Sequence, residues 1–241
     1  MGEVEKEIGK NLILNFMSKG KINRYKKLLK DISDDDLNYL LKNSYVNAYR
    51  QNQAAWELYR GIYREFSYNL FYISAEEYYK CLQLLKYKET KQKSATLTDA
   101  ELEELAQLFV YHIFKIEGSK SFATEKVRKT HFHVTHQGRP DLNPIAEGKK
   151  EKARLISVMQ KYSSEELFNL KNESLYVGYR ESIEEVICPI DNFHFQQPNV
   201  MMKYIENLSG EVTSKVYTLF GREEIERLIN YKMLIGTKHS D

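Results

Sequence analysis

No proline occurs before Pro140; the four prolines of this 241-residue chain stand at 140, 144, 189 and 198. The first 139 residues therefore contain no obligatory helix breaker. Their apolar residues recur at steps of three and four, the spacing of one helix face. Side chains able to cap free backbone N–H groups mark several starts: Ser33, Ser74 with Glu77, and Thr98 with Glu101, the last two in the spacing of a capping box. The pattern predicts consecutive helices near residues 3 to 18, 21 to 31, 34 to 43, 45 to 72, 75 to 92 and 99 to 117.

The longest of these is predicted to be central. Tyr45, Tyr49, Asn52, Trp56, Tyr59, Tyr63, Phe66 and Leu70 alternate steps of four and three, a seam that faces a partner helix. At that spacing an aromatic row belongs to the core. Asn52, polar within it, marks either the end of the buried section or a contact that sets register.

Beyond Gly138 the chain changes character. "HQGRPDLNP" is a loop by its turn chemistry, Pro144 suits the first turn of a helix, and Ser163 with Glu166 forms a second capping box. Residues 174–196 mix β-branched and aromatic side chains and are the place for a short hairpin. Helical spacing returns from Asn199 to Asn207 and from Glu211 to Ile235. The expected fold is predominantly α, a multi-helix bundle with a smaller helical or α+β C-terminal part. We divide it into an N-terminal bundle (1–118), a basic histidine-containing connector (119–143) and a C-terminal, mostly helical part (144–241).

Cys81 and Cys188 stand outside any metal or redox spacing, so no disulfide framework or zinc ribbon is expected, and a reducing cytoplasm fits. The N-terminus lacks the apolar run of a signal peptide, and no stretch is long and apolar enough to enter a membrane. Phosphate-binding glycine loops, nucleophile elbows, zinc-binding His-Glu-x-x-His and EF-hand loops are absent from the sequence. No cofactor is implied.

Charge is uneven. The net charge is +2, yet Lys120 to Arg154 holds nine basic residues against four acidic ones. Lys126, Lys129, His131, His136, Arg139, Lys149, Lys150, Lys152 and Arg154 are the candidate anion-binding residues, because ammonium and guanidinium groups are the donors that grip phosphates. A soluble helical protein that binds RNA or DNA through 120–154 is the leading expectation. The same surface could serve an acidic protein, and an adaptor or homodimer without catalysis is a further alternative.

Inside this stretch lies "THFHVTH". As a strand it would put His131 and His133 on one face and His136 on the other; a metal would then need a third ligand such as Asp141, His112 or His194, and the neighbouring cations oppose it. In a helix capped by Thr124 and running through "EKVRKTHFH", Arg128 and His133 would stand about 140° apart on the wheel, not on one face, and would converge only at the helix end, particularly across a dimer. Arg128-x4-His133 resembles the Arg-x4-His motif of HEPN-type ribonucleases, small all-helical domains in which this pair sits near a helix end. The resemblance covers six residues and departs at Lys129, where that family usually has a small polar or amide residue. It implies metal-independent RNA cleavage, with His133 assisting proton transfer and Arg128 stabilising phosphate charge. His112, in "LFVYHIFKI", is expected to be a hydrogen-bonded core histidine.

Overall fold

The computed structural model describes residues 18–61, 64–93, 96–130, 144–173, 178–180, 185–187 and 196–237. It is predominantly α-helical: α1 (residues 18–30), α2 (Asp34–Arg60), α3 (Arg64–Gln92), α4 (Asp99–Gln107), α5 (His112–Lys129), α6 (Pro144–Gln160), α7 (Ser164–Glu173), α8 (Gln196–Phe220) and α9 (Arg222–Thr237). A short antiparallel pair, β1 (Gly178–Arg180) and β2 (Glu185–Ile187), aligns Gly178 with Ile187. It falls inside the stretch where the sequence places a hairpin.

The centre is an antiparallel pair made by α2 and α3. Ser74 Oγ donates to the carbonyl of Ala48 (2.8 Å), and Cys81 Sγ donates to that of Leu41 (3.7 Å); moving two turns up one helix moves two turns down the other. Leu37, Leu41, Tyr45, Phe71, Tyr78, Leu82 and Leu85 are essentially inaccessible to solvent, as are Tyr68 and Tyr72 on the side of α3 that meets α7, where Tyr68 Oη donates to the carbonyl of Leu167 and Lys171 lies over the ring of Tyr72. Burial pushes the Cys81 thiol well above its ordinary pKa, so this cysteine is an inert core group.

This pairing corrects three expected helices: 34–43, 45–72 and 75–92 are two, with no break at residue 44 or at 73–74. The chain does not continue from 45 to 72: α2 starts at Asp34 and stops at Gly61, whose extended backbone N–H closes the last turn on Glu57 and Leu58. A straight helix would separate Trp56 from Phe71 and Tyr45 from Tyr78, the ring pairs through which the turn at Gly61 packs α3 back onto α2. The aromatic seam consequently ends at Tyr59, and Phe66 is partly exposed. Ser74 is no cap; it lies buried within α3, and Glu77 binds Lys80 instead. Trp56, Tyr59 and Phe71 stack edge to face as core aromatics. Asn52 Oδ1 is buried without a hydrogen-bond partner among the described residues.

The expected helix 99–117 is likewise two helices. Thr98 and Glu101 do form a capping box at the start of α4, but a turn at 108–110 ends it and Tyr111, in extended conformation, begins α5. No glycine or proline marks that break. It lets Leu102, Leu105 and Leu108 bury on one side, with Tyr25 of α1 stacked on Phe109, while α5 turns to bury Ile116, Ala123 and Val127.

Helix α8 closes the bundle. Met201, Tyr204, Ile205, Leu208, Val212 and Val216 are buried at helical spacing, and Tyr204 Oη donates to the carbonyl of Met159 (2.6 Å). Residues from both sides of the 119–143 stretch thus share one hydrophobic core, and α5 runs through position 118 to Lys129. The break in the C-terminal tail is at Gly221, φ +80°, a left-handed conformation that glycine adopts without steric cost. It does not lie at Asn207 to Glu211, which the sequence left between two helical stretches.

Candidate functional site

The described parts of the basic segment are the C-terminal half of α5 and most of α6. His131, His133, His136 and Arg139 lie outside the described residues. The helix expected to carry Arg128 to His133 does not: α5 ends at Lys129, and Thr130 is extended with ψ 136°. Thr124 is not its cap either, being buried in mid-helix with no hydrogen-bond partner for Oγ1 among the described residues.

The end of α5 leaves backbone carbonyls exposed, as every helix C-terminus does. Lys152, on α6, donates its ammonium to the carbonyls of Arg128 and Thr130, the latter at 3.1 Å, and Thr130 Oγ1 donates to Lys126 O (2.8 Å). A cation here also offsets the negative end of the helix dipole. One side chain of α6 therefore clamps α5 and brings the two halves of the basic segment together.

The remaining cations divide by partner. Lys126 donates to the carbonyl of Asn207 (2.7 Å) and lies 3.7 Å from Glu211, so it ties α5 to α8. Lys120 donates to the carbonyl of Tyr162 (2.8 Å). Lys129 pairs with Glu125, Lys150 with Glu147 and Arg154 with Glu151, each along its own helix. The Arg154 guanidinium holds the Glu151 carboxyl below the usual range. Such exposed pairs open at little cost. Arg128 and Lys149 are exposed and have no ion-pair partner among the described residues. Arg128 lines a shallow cleft of about 600 Å³ with Lys120, Thr124 and Gln160 and with the carboxylates of Glu117 and Glu125.

A second polar cluster was not legible in the sequence. Glu76 of α3 is 2 % exposed, and both its carboxylate oxygens lie 2.9 Å from Nδ1 of His112. Lys115 Nζ, also buried, is 3.4 Å from Oε2. His112 is hydrogen-bonded as expected but sits at the rim of the core, half exposed and stacked on Phe168. Lys171 of α7 lies over the rings of Tyr72 and Phe168; desolvation lowers its pKa, with Glu76 opposing and Lys115 adding to the shift. Burial, aided by Glu76, raises that of Tyr72. The cluster is a compensated buried charge joining α3 to α5, with α7 at its edge. His112 and Lys115 stand one turn apart on α5, which is the one local signal; Glu76 arrives only through tertiary packing.

Among the described residues no group of three or more His, Cys, Asp or Glu could hold a metal ion, and no helix is long and apolar enough to cross a membrane. Compared with protein-family models, curated proteins and solved structures, the chain matches none.

Proposed function

We propose that this protein binds a polyanionic partner, a nucleic-acid strand, on the surface where α5 ends against α6. The observation that carries the reading is the Lys152 clamp on Arg128 and Thr130, because it sets Lys149, one turn from Lys152 on α6, beside the α5 end that carries Arg128 and Lys129, with Lys150 and Arg154 about 160° around α6 from the clamp. Two of these have no ion-pair partner to surrender among the described residues, and three are held by exposed pairs within one helix. Lys126 and Lys152 have a different role in this reading: they hold the surface together through backbone carbonyls and do not themselves face the partner.

The test is binding of labelled single-stranded RNA and duplex DNA by fluorescence anisotropy across a salt series. Arg128→Glu with Lys149→Glu should weaken binding and reduce the log–log salt slope by roughly 0.7 per lost contact on a single strand. Wild-type protein that shows no salt-sensitive binding to either polymer removes the proposal. The same samples test the nuclease alternative. RNA shortened in EDTA, with the shortening abolished by His133→Ala and binding retained, makes the surface the substrate platform of a metal-independent ribonuclease.

A further inference from the structure

Away from the basic surface, a cleft of about 240 Å³ lies between α3 and α4, with Phe114 of α5 in its lining. It falls just below the roughly 300–1,000 Å³ of drug-sized ligand sites, so its occupant is small. Each wall is a single helix face. Tyr79, Gln83, Tyr87 and Thr90 fall within about 80° around α3. Glu104, Leu105 and Leu108 fall within about 100° around α4. Tyr87, Leu105 and Leu108 are buried, and Tyr79, Leu97 and Phe114 are partly buried against the same core.

The lining is ordered along its length. Tyr87 shares a second hollow with Leu97 and Leu102, near the connection from α3 to α4. Tyr79 stands just over two turns earlier on α3, about 12 Å along the axis. There its ring covers Gly118, one turn from Phe114 on α5. Glu104 belongs to the Tyr79 end: burial pushes the Tyr79 hydroxyl above its ordinary pKa, and the Glu104 charge adds to the rise.

Most polar groups of the cleft are already engaged. Glu101 accepts from the Thr98 N–H (2.7 Å) in the cap of α4, Thr90 Oγ1 donates to the carbonyl of Lys86 (3.0 Å), and Gln83 is hydrogen-bonded to Tyr79. The Glu104 carboxylate has no hydrogen bond or ion pair to a described residue. The Lys86 ammonium has none either, but it stands two turns from Tyr79 and also lines the neighbouring hollow with Glu125 and Glu211. The Tyr79 end therefore combines apolar walls with an uncompensated carboxylate.

We infer that this cleft binds a small apolar amine, its ammonium on Glu104 at the Tyr79 end and its hydrocarbon body along Leu108, Leu105 and Tyr87. An ammonium offers only donors, the complement of a carboxylate, which has none. The buried leucines and Tyr87 favour a hydrocarbon body over a polar one. An anion is disfavoured by charge, since Glu101 and Glu104 stand against Lys86 alone in the lining.

The inference is independent of the basic surface. Full-length protein is titrated by calorimetry with hexylamine, hexanol and hexanoate at neutral pH, where an alkylamine is protonated as lysine is. The three share a chain and differ in head-group charge. Hexylamine should bind most tightly and hexanoate least. Glu104→Gln, at an exposed position, should weaken hexylamine about two- to fivefold, the range of an exposed ion pair, and leave hexanol unchanged. Thr90→Phe fills the cleft from a half-buried position whose hydroxyl bonds only its own helix, and should weaken amine and alcohol alike. Lys86→Met should not weaken hexylamine, and Arg128→Glu with Lys149→Glu should leave its binding as it was. Competition by a lysine peptide identifies the ligand as a protein side chain, and its failure identifies a free amine. Absence of hexylamine binding at millimolar concentration overturns the inference, as does equal affinity for the three head groups, a Glu104→Gln effect shared by hexanol, or binding that Thr90→Phe leaves unchanged.

Discussion

The ring of Tyr79 lies directly over Gly118: a Cβ at position 118 would stand 2.1 Å from its Cζ. The missing side chain lets α3 and α5 approach at this point. Gly118→Ala should destabilise the protein by roughly 1–3 kcal/mol through overpacking. With Tyr79→Ala already present the clash is gone, and the same change should stabilise by up to about 1 kcal/mol, the helix preference of alanine over glycine. Urea denaturation of the four proteins reads the change of sign; a Gly118→Ala effect equal in both backgrounds contradicts the close approach.

Lys152 and Lys149 carry the same charge on the same helix but have different partners. Lys152→Met removes the donor from the carbonyls of Arg128 and Thr130 and should cost roughly 0.5–1.5 kcal/mol. Lys149→Met should stay within about 0.5 kcal/mol of wild type. Equal midpoints for the two variants in chemical denaturation would remove the clamp as a structural device.

Glu76 compensates the buried ammonium of Lys115. Glu76→Gln keeps the shape and removes the charge, and should destabilise by roughly 3–5 kcal/mol because a buried cation is left alone. Adding Lys115→Met should recover part of that loss, which a double-mutant cycle measures. His112→Ala should cost less, since its ring is half exposed. A strictly additive cycle for Glu76 and Lys115 would show that the pair is not coupled.

Two caps carry an acid-side pH dependence. The backbone N–H of Thr98 holds the Glu101 carboxyl below its ordinary range, and that of Ser163 does the same for Glu166. A lowered carboxyl pKa contributes stability above the unfolded value, roughly 4.3 for glutamate, and that stability is lost as pH falls through the folded value. Carboxyl NMR titration should find both midpoints below 4.3, roughly the unfolded glutamate value, with Thr98→Ala raising that of Glu101. Midpoints at or above the unfolded value would rule out the caps as the source.

The sequence by itself determined whatever depends on neighbours within one turn. Ser33, Thr98 and Ser163 cap the helices expected of them, because a cap is a bond between residue i and residue i+3. Pro144 opens α6, since proline suits the first turn, and the unbroken three-and-four spacing sufficed for a predominantly α fold. What only the tertiary structure decided was where long apolar faces find partners. The turn at Gly61 and the break before Tyr111 answer to burial across the bundle, and Ser74, with a cap's spacing, became a buried donor to Ala48. The basic segment was legible as composition, but which cations are free was not. Lys126, Lys152 and Arg128 look alike in sequence, and they part company because backbone carbonyls of α8 and α5 reach the first two. Glu76, 36 positions from His112, had no local sign at all, since a charge can be buried only where packing brings its counter-charge.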